Sequence, residues 1–367
     1  MQIDFAKLQY QYQLYKEEID EAIHKVLDKS NYIMGNEVHD LEENLQSFTG
    51  AKHAITCASG TDALLLAMMA LDIQPDDEII TTPFTFIATA ETIAFLKAKP
   101  VFVDIDEKTY TIDVQKIEEA ITEKTKAIMP VSLYGQPADM DVIETIAKKH
   151  GLKVIIDGAQ SFGATFDGVT DSNLGDISTT SFFPAKPLGC FGDGGAVFTN
   201  DDALASKMKS LRVHGQSKRY HHQYIGMGGR MDTLQCAIVD VKLRHYPKDL
   251  ALRQAVAEKY TKALSQKDLV LPFVDEKATS AWAQYSVRVK DRDALQVRLK
   301  AEGIPTAVHY PMPLHLQGAF TYLRYNTGDF PISEMVSDEI ISLPMNPYLD
   351  EEEIAYIIEK INKKDVI

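Results

Sequence analysis

Lys186 sits in Ser181-Phe182-Phe183-Pro184-Ala185-Lys186-Pro187-Leu188-Gly189, and twenty-nine residues earlier the apolar run Lys153-Val154-Ile155-Ile156 ends in Asp157. Such a pair supplies what pyridoxal phosphate needs. The amine can hold the aldehyde as a Schiff base, while the carboxylate keeps the pyridine nitrogen protonated as an electron sink. Most lysines are solvated surface charges. Lys186 is instead flanked by aromatics, two prolines and the run Gly189-Cys190-Phe191-Gly192-Asp193-Gly194-Gly195. That stretch is too poor in charge for a solvated face and too rich in turn formers for a helix.

A phosphate has a candidate seat in Ser59-Gly60-Thr61-Asp62, just before an apolar helix. There, free backbone N–H groups, a hydroxyl and the positive end of the helix dipole would meet an anion; the alternative is that Ser59 or Thr61 merely caps the helix. Ser181 is either a second phosphate hydroxyl or a structural strand-end serine. Phe86 either stacks on a flat heteroaromatic ring or belongs to the core.

The elements that must position these residues alternate short apolar runs with amphipathic stretches. Strands are predicted at 78–81, 100–104, 127–131, 154–157 and 196–199, and helices at 16–29, from 59 onward, 113–122 and 139–149. This alternation predicts an α/β fold built on a mostly parallel, doubly wound sheet covered on both faces. Ligands of such sheets gather at the carboxyl ends of the strands, where Asp157 falls. A helix near 233–265 would bridge to a smaller C-terminal α/β domain with a strand at 284–289 and helices at 291–302 and 351–362. The predicted division is a large cofactor-binding domain over 1–245 and a small one over 246–367.

The chain has 367 residues, 45% of them hydrophobic, and a net charge of −15. That balance argues against a nucleic-acid partner, which requires clustered Lys and Arg. Cys57, Cys190 and Cys236 have no paired or metal-type spacing, so neither disulfide nor metal is expected. Without a basic leader or an 18-residue apolar run, the chain reads as cytoplasmic and free of membrane.

Five segments together resemble the DegT/DnrJ/EryC1/StrS nucleotide-sugar aminotransferases of fold type I, from Met1 to about residue 362. They are Cys57-Ala58-Ser59-Gly60-Thr61-Asp62-Ala63-Leu64, Pro83-Phe84-Thr85-Phe86-Ile87-Ala88-Thr89, Asp157-Gly158-Ala159-Gln160-Ser161-Phe162-Gly163, the lysine segment from Ser181, and Gly192-Asp193-Gly194-Gly195-Ala196. The resemblance implies that Lys186 forms the Schiff base, Asp157 pairs with the pyridinium nitrogen and Gln160 touches the ring hydroxyl. It implies further that Gly60, Thr61 and Ser181 hold the phosphate and that Phe86 covers the ring. It also implies a homodimer with shared sites, L-glutamate as donor giving 2-oxoglutarate, and pyridoxamine 5'-phosphate as the intermediate cofactor form.

Within the family, Ser132-Leu133-Tyr134-Gly135-Gln136, Val213-His214-Gly215-Gln216, Arg219-Tyr220-His221-His222 and Thr306-Ala307-Val308-His309-Tyr310-Pro311 resemble enzymes acting on UDP-2-acetamido-2-deoxy-3-oxo-glucuronate for O-antigen. Lys218, Arg219, Tyr220, His221 and His309-Tyr310 are then candidates for the diphosphate and carboxylate, with His309 as a local cation; the alternative for 218–222 is a solvated loop. Arg230 resembles the family arginine that reaches across the dimer. Gly228 departs from the family, which has asparagine there for phosphate binding. Acceptors of the 4-keto-6-deoxy or 3-keto-6-deoxy class are the alternative substrates. A dehydratase of this fold would have histidine in place of Lys186, and a non-catalytic sensor would not need the full set of Asp157, Gln160, Ser181 and Lys186.

Overall fold

The computed structural model describes residues 1–264 and 269–363. Its centre is a seven-stranded sheet in the order His53–Cys57, Gly195–Thr199, Ile177–Ser181, Lys153–Asp157, Thr125–Ile128, Glu78–Thr81, Lys99–Phe102. Only Gly195–Thr199 runs against the others, pairing antiparallel with both neighbours. The remaining pairs are parallel. Parallel strands must be covered on both faces, and here they are. The apolar Gly60–Ala70 helix packs with Ile55, Ile79, Ile155 and Val197 on one side, while Leu41, Leu45, Phe198 and Val239 form the core on the other.

The strand expected at 127–131 pairs over Thr125–Ile128 instead. Pro130 has no N–H to continue the ladder. Val131 keeps one isolated bridge to Asp157: the Asp157 N–H donates to Pro130 O (2.9 Å) and the Ser132 N–H to Asp157 O (3.0 Å). The helix expected over 113–122 is two single 3-10 turns, Val114–Lys116 and Glu118–Ala120. Asp113 accepts the Gln115 N–H at 3.1 Å, and the bonds span three residues, as Ala120 N–H to Ile117 O does at 3.1 Å. With Val114 and Ile117 pinned to the core, this short segment winds tightly rather than propagating.

The Thr233–Ala263 helix passes from one core to the other. Cys236, Val239, Leu243 and Tyr246 pack against the large sheet, Pro247 follows, and Val256, Ala257 and Tyr260 enter a second core. That second core surrounds the antiparallel pair Tyr285–Arg288 and Ile340–Leu343, together with the helices Arg292–Ala301 and Glu351–Asn362, and it also takes in Ile3. The expected boundary at 245/246 therefore falls inside a continuous helix. Among the described residues no helix is long and apolar enough to cross a membrane, and no group of three or more His, Cys, Asp or Glu could hold a metal.

Candidate active site

The carboxyl ends of the parallel strands open into a cavity of about 490 Å³, closed from the C-terminal unit by Gln284, His309 and Tyr310. Gly60, Thr61, Phe86, Asp157, Gln160, Ser181 and Lys186, all expected from the sequence, line it together.

Asp157 is buried and held from several sides. Thr89 Oγ1 donates to its Oδ2 at 2.7 Å, the Ala159 N–H approaches Oδ1 at 3.3 Å, and Thr85 and Thr89 share a hydroxyl contact at 2.9 Å. Burial pushes its carboxyl above the usual range, opposed by the Thr89 and Ala159 hydrogen bonds and by the charge of Lys186. The Lys186 amine is pushed the opposite way, below the ordinary lysine value, again by burial and against the attraction of Asp157. A lysine drawn toward neutrality can act as a nucleophile and exchange a proton; a carboxylate in a dry site can anchor a cation.

Gln160 is fixed as well. Its Oε1 accepts the Tyr134 N–H at 2.7 Å, and its Nε2 donates to Tyr310 Oη at 3.3 Å. At the opposite corner Ser59 does cap the Gly60–Ala70 helix, accepting the Asp62 N–H at 3.0 Å. The cap leaves the N–H groups of Gly60 and Thr61, which no helical carbonyl reaches, in the cavity lining. A side chain at Gly60 would place its Cβ 2.7 Å from Ser181 Cβ, so only glycine lets the helix start press this close to the serine. Helix terminus, Ser181, Lys186 and Asp157 together form a donor set that fits pyridoxal phosphate: an anion seat, an aldehyde-reactive amine and a carboxylate for the ring nitrogen.

Phe86 is not core. It is 53% exposed, and its ring lies 6.1 Å from that of Tyr310. His309 lines the cavity but is not the cation expected. Burial, reinforced by Lys186, lowers it to about 4, so at neutral pH it is an uncharged ring whose Nδ1 contacts Ser342 Oγ at 2.9 Å. Tyr134 Oη also bonds the His309 carbonyl. Lys218, Arg219, Tyr220 and His221 lie outside this cavity on an exposed hairpin of Gln216–Lys218 with His221–His222, and Arg230, half-buried, also lies outside the lining. Around Gly228, a Cβ would meet His214 at 3.1 Å and the Arg230 guanidinium at 3.8 Å.

Sequence reasoning missed Thr89, Tyr134, Asp193 and Gln284. Thr89 left one signal: threonines at 85, 89 and 92 recur at helical spacing in a segment whose only charge is Glu91. Tyr134 sits in the 132–136 segment that resembles the family, but nothing there pointed to its contact with Gln160; Gln284 left no signal, because its place comes from long-range packing.

The DegT/DnrJ/EryC1/StrS aminotransferase family model matches residues 13–362. The UDP-2-acetamido-2-deoxy-3-oxo-D-glucuronate aminotransferase of Pseudomonas aeruginosa is 50% identical, over 97% of this chain and 98% of its own. The DesV structure from S. venezuelae, solved with a ketimine intermediate, superposes with a TM-score of 0.97 at 35% identity, covering 99% of this chain and 100% of that one. NtdA of Bacillus subtilis, solved with bound cofactor PMP, superposes at 0.92 and 29% identity, covering 98% and 84%. The chain thus belongs to the DegT/DnrJ/EryC1/StrS aminotransferase family and is a pyridoxal-phosphate-dependent sugar aminotransferase.

Proposed function

We propose that this enzyme moves an amino group from L-glutamate to the keto carbon of UDP-2-acetamido-2-deoxy-3-oxo-D-glucuronate, in the cytoplasm, as a homodimer supplying O-antigen or a similar surface polysaccharide. The observation that carries the substrate choice is the 50% identity, across nearly the whole of both chains, with the Pseudomonas aeruginosa enzyme of that activity.

In this reading bound pyridoxal phosphate supplies an electron sink for the carbon that loses its proton. Lys186 Nζ would hold the cofactor aldehyde and, as a free amine, would move the proton to and from the amino-acid carbon. Burial suits it to this task by lowering its proton affinity toward neutrality. Asp157, held by Thr89 and the Ala159 N–H, would pair with the ring nitrogen. Gln160 would meet the ring hydroxyl, Phe86 would cover the ring, and Gly60, Thr61 and Ser181 would take the phosphate. His309 and Tyr310 meet the sugar as neutral hydrogen-bonding groups. Arg219, Tyr220, His221 and Arg230 serve the partner's site, reaching the diphosphate and carboxylates from across the dimer.

The test is to load purified enzyme with glutamate, remove the donor, and offer UDP- and dTDP-linked keto sugars in turn. The 3-oxo-glucuronate should return pyridoxamine phosphate to pyridoxal phosphate fastest. Equal or better use of a 4-keto-6-deoxy sugar would overturn the substrate while leaving the aminotransferase in place.

A further inference from the structure

Behind Asp157 lies a second carboxyl that the reaction as written does not use. Asp171, at the start of the single 3-10 turn Asp171–Asn173, is fully buried. Its Oδ2 accepts the Ser161 hydroxyl, and its N–H donates to Ala164 O at 2.9 Å. Ser161 closes the turn that follows Asp157: the Ser161 N–H donates to Gly158 O at 3.2 Å. The approach is close, since a Cβ at Gly158 would lie 3.2 Å from Asp171 Oδ2 and 2.7 Å from Thr179 O. Asp171 Oδ1 and Ser132 Oγ are both sealed from solvent without a hydrogen-bond partner. The Ser132 N–H is the group that donates to Asp157 O, so Asp171 abuts both segments that fix Asp157.

A sealed carboxylate oxygen with no donor is costly, and a fold that needed only a turn clamp would be served as well by an amide. What the acid adds is charge. Burial raises Asp171 to about 6, Asp157 adds to that, and the Ser161 and Ser132 hydroxyls oppose it; Ser132 stands near enough to favour the ionised form but outside hydrogen-bond geometry. Near pH 7 the group is therefore mostly an anion, stacked behind the carboxylate that faces the cavity.

We propose that Asp171 is a positioning residue for Asp157: through Ser161 it clamps the Gly158–Ser161 turn that follows Asp157, and its charge reinforces the field that holds a cation opposite Asp157. The inference rests on the reading above that this cation is the protonated ring nitrogen of pyridoxal phosphate.

The experiment compares wild-type holoenzyme with Asp171→Asn and Ser161→Ala, following the pH midpoint of the cofactor's visible absorbance and the dissociation constant for pyridoxal phosphate. Asparagine keeps the bond from Ser161 and can offer its amide to Ser132, so the fold should persist. Removing a negative charge lowers the proton affinity of nearby cationic groups. The midpoint should therefore move down by about half a pH unit in Asp171→Asn, with cofactor binding several-fold weaker. Ser161→Ala, which only raises the proton affinity of Asp171 and loosens the turn, should move it the same way by less. Unchanged midpoints and affinity in the folded variants would overturn the proposal and leave Asp171 a turn clamp; should Asp171→Asn not fold, an unshifted Ser161→Ala would do the same. A wild-type protein that takes up no pyridoxal phosphate would overturn the cofactor reading itself and this inference with it.

Discussion

The cavity floor and the 214–230 segment both carry residues expected to touch ligand, yet they are built on opposite principles. On the floor, Asp157 and Gln160 each have their polar atoms tied to neighbours, Asp157 to Thr89 and the Ala159 N–H, Gln160 to the Tyr134 N–H and Tyr310. In the 214–230 segment, Arg219 is exposed and leans on the ring of Tyr220 at 5.2 Å, Tyr220 is 77% exposed and Ile225 91%. The hairpin is held by a few light bonds, such as Tyr220 N–H to Gln216 Oε1 at 3.3 Å and Ser217 Oγ to His221 O at 3.3 Å. His214 and Tyr220 also sit at φ 63° and 64°, a left-handed conformation that costs a residue with a side chain about 1 kcal/mol. A group whose geometry is over-determined within one chain can do chemistry there. A strained, exposed, cation-bearing loop gains a role only when something else meets it, which is why we assign it to a partner's site.

The sharpest way to break this comparison is Lys186→Ala. It should abolish turnover while the fold persists, and activity near the wild-type level would relocate the chemistry. Mixing that variant with Arg230→Ala under conditions of subunit exchange tests the other half. If random hybrids carry one intact site of two, about a quarter of the wild-type activity should return. No recovery despite proven exchange would return the 214–230 segment to its own chain's site.

His309 offers the next largest effect. Its proton affinity in the folded chain is depressed from 6.5 to about 4, so the unfolded chain binds the extra proton between those values. The stability that comes with the neutral ring is present above pH 6.5 and is lost as pH falls toward 4, by up to about 3 kcal/mol. His309→Asn should flatten that part of the pH–stability curve, measured by denaturant midpoints. An unchanged acid limb would mean that the ring is solvated.

Thr89→Val removes one hydrogen bond to a buried carboxylate, an interaction contributing roughly 1.5–3 kcal/mol. The loss in kcat/KM should be about ten- to a hundredfold, with weakened cofactor binding. A change of less than about twofold would show that Asp157 does not depend on this anchor. The smallest effect belongs to Arg219→Gln. An exposed cation contributes under about 1 kcal/mol, so KM should rise a few-fold at low ionic strength and the difference should fade in salt. A salt-independent loss of a hundredfold would place Arg219 in a desolvated contact instead.

Much of the fold could be read along the chain. The helices Lys16–Lys29 and Glu351–Asn362 fall where their amphipathic periods put them, and Glu78–Thr81 matches its apolar run. His53–Cys57 and Ile177–Ser181 carry no comparable signal, since polar residues interrupt their apolar ones, and what makes them strands is pairing: both with the antiparallel Gly195–Thr199 between them, and Ile177–Ser181 also with Lys153–Asp157. Asn36–Thr49, Asp202–Leu211 and Pro331–Glu339 were likewise not predicted as helices.

By itself the sequence determined the candidate set: Lys186 in its turn, Asp157 at a strand end, and a helix start at Ser59-Gly60-Thr61. Each is a local arrangement, encoded in a few consecutive residues whose backbone preferences do not wait for the rest of the chain. Tertiary structure alone decided the electrostatics and the cover. It brought Thr89 to Asp157 and Asp171 behind it, carried Gln284, His309 and Tyr310 in from the C-terminal part of the chain, exposed Phe86 to the cavity and left His309 neutral. Desolvation and charge coupling sum over every atom packed around a group, and those atoms come from segments as far apart in the chain as Phe86 and Tyr310; no local pattern can hold that sum.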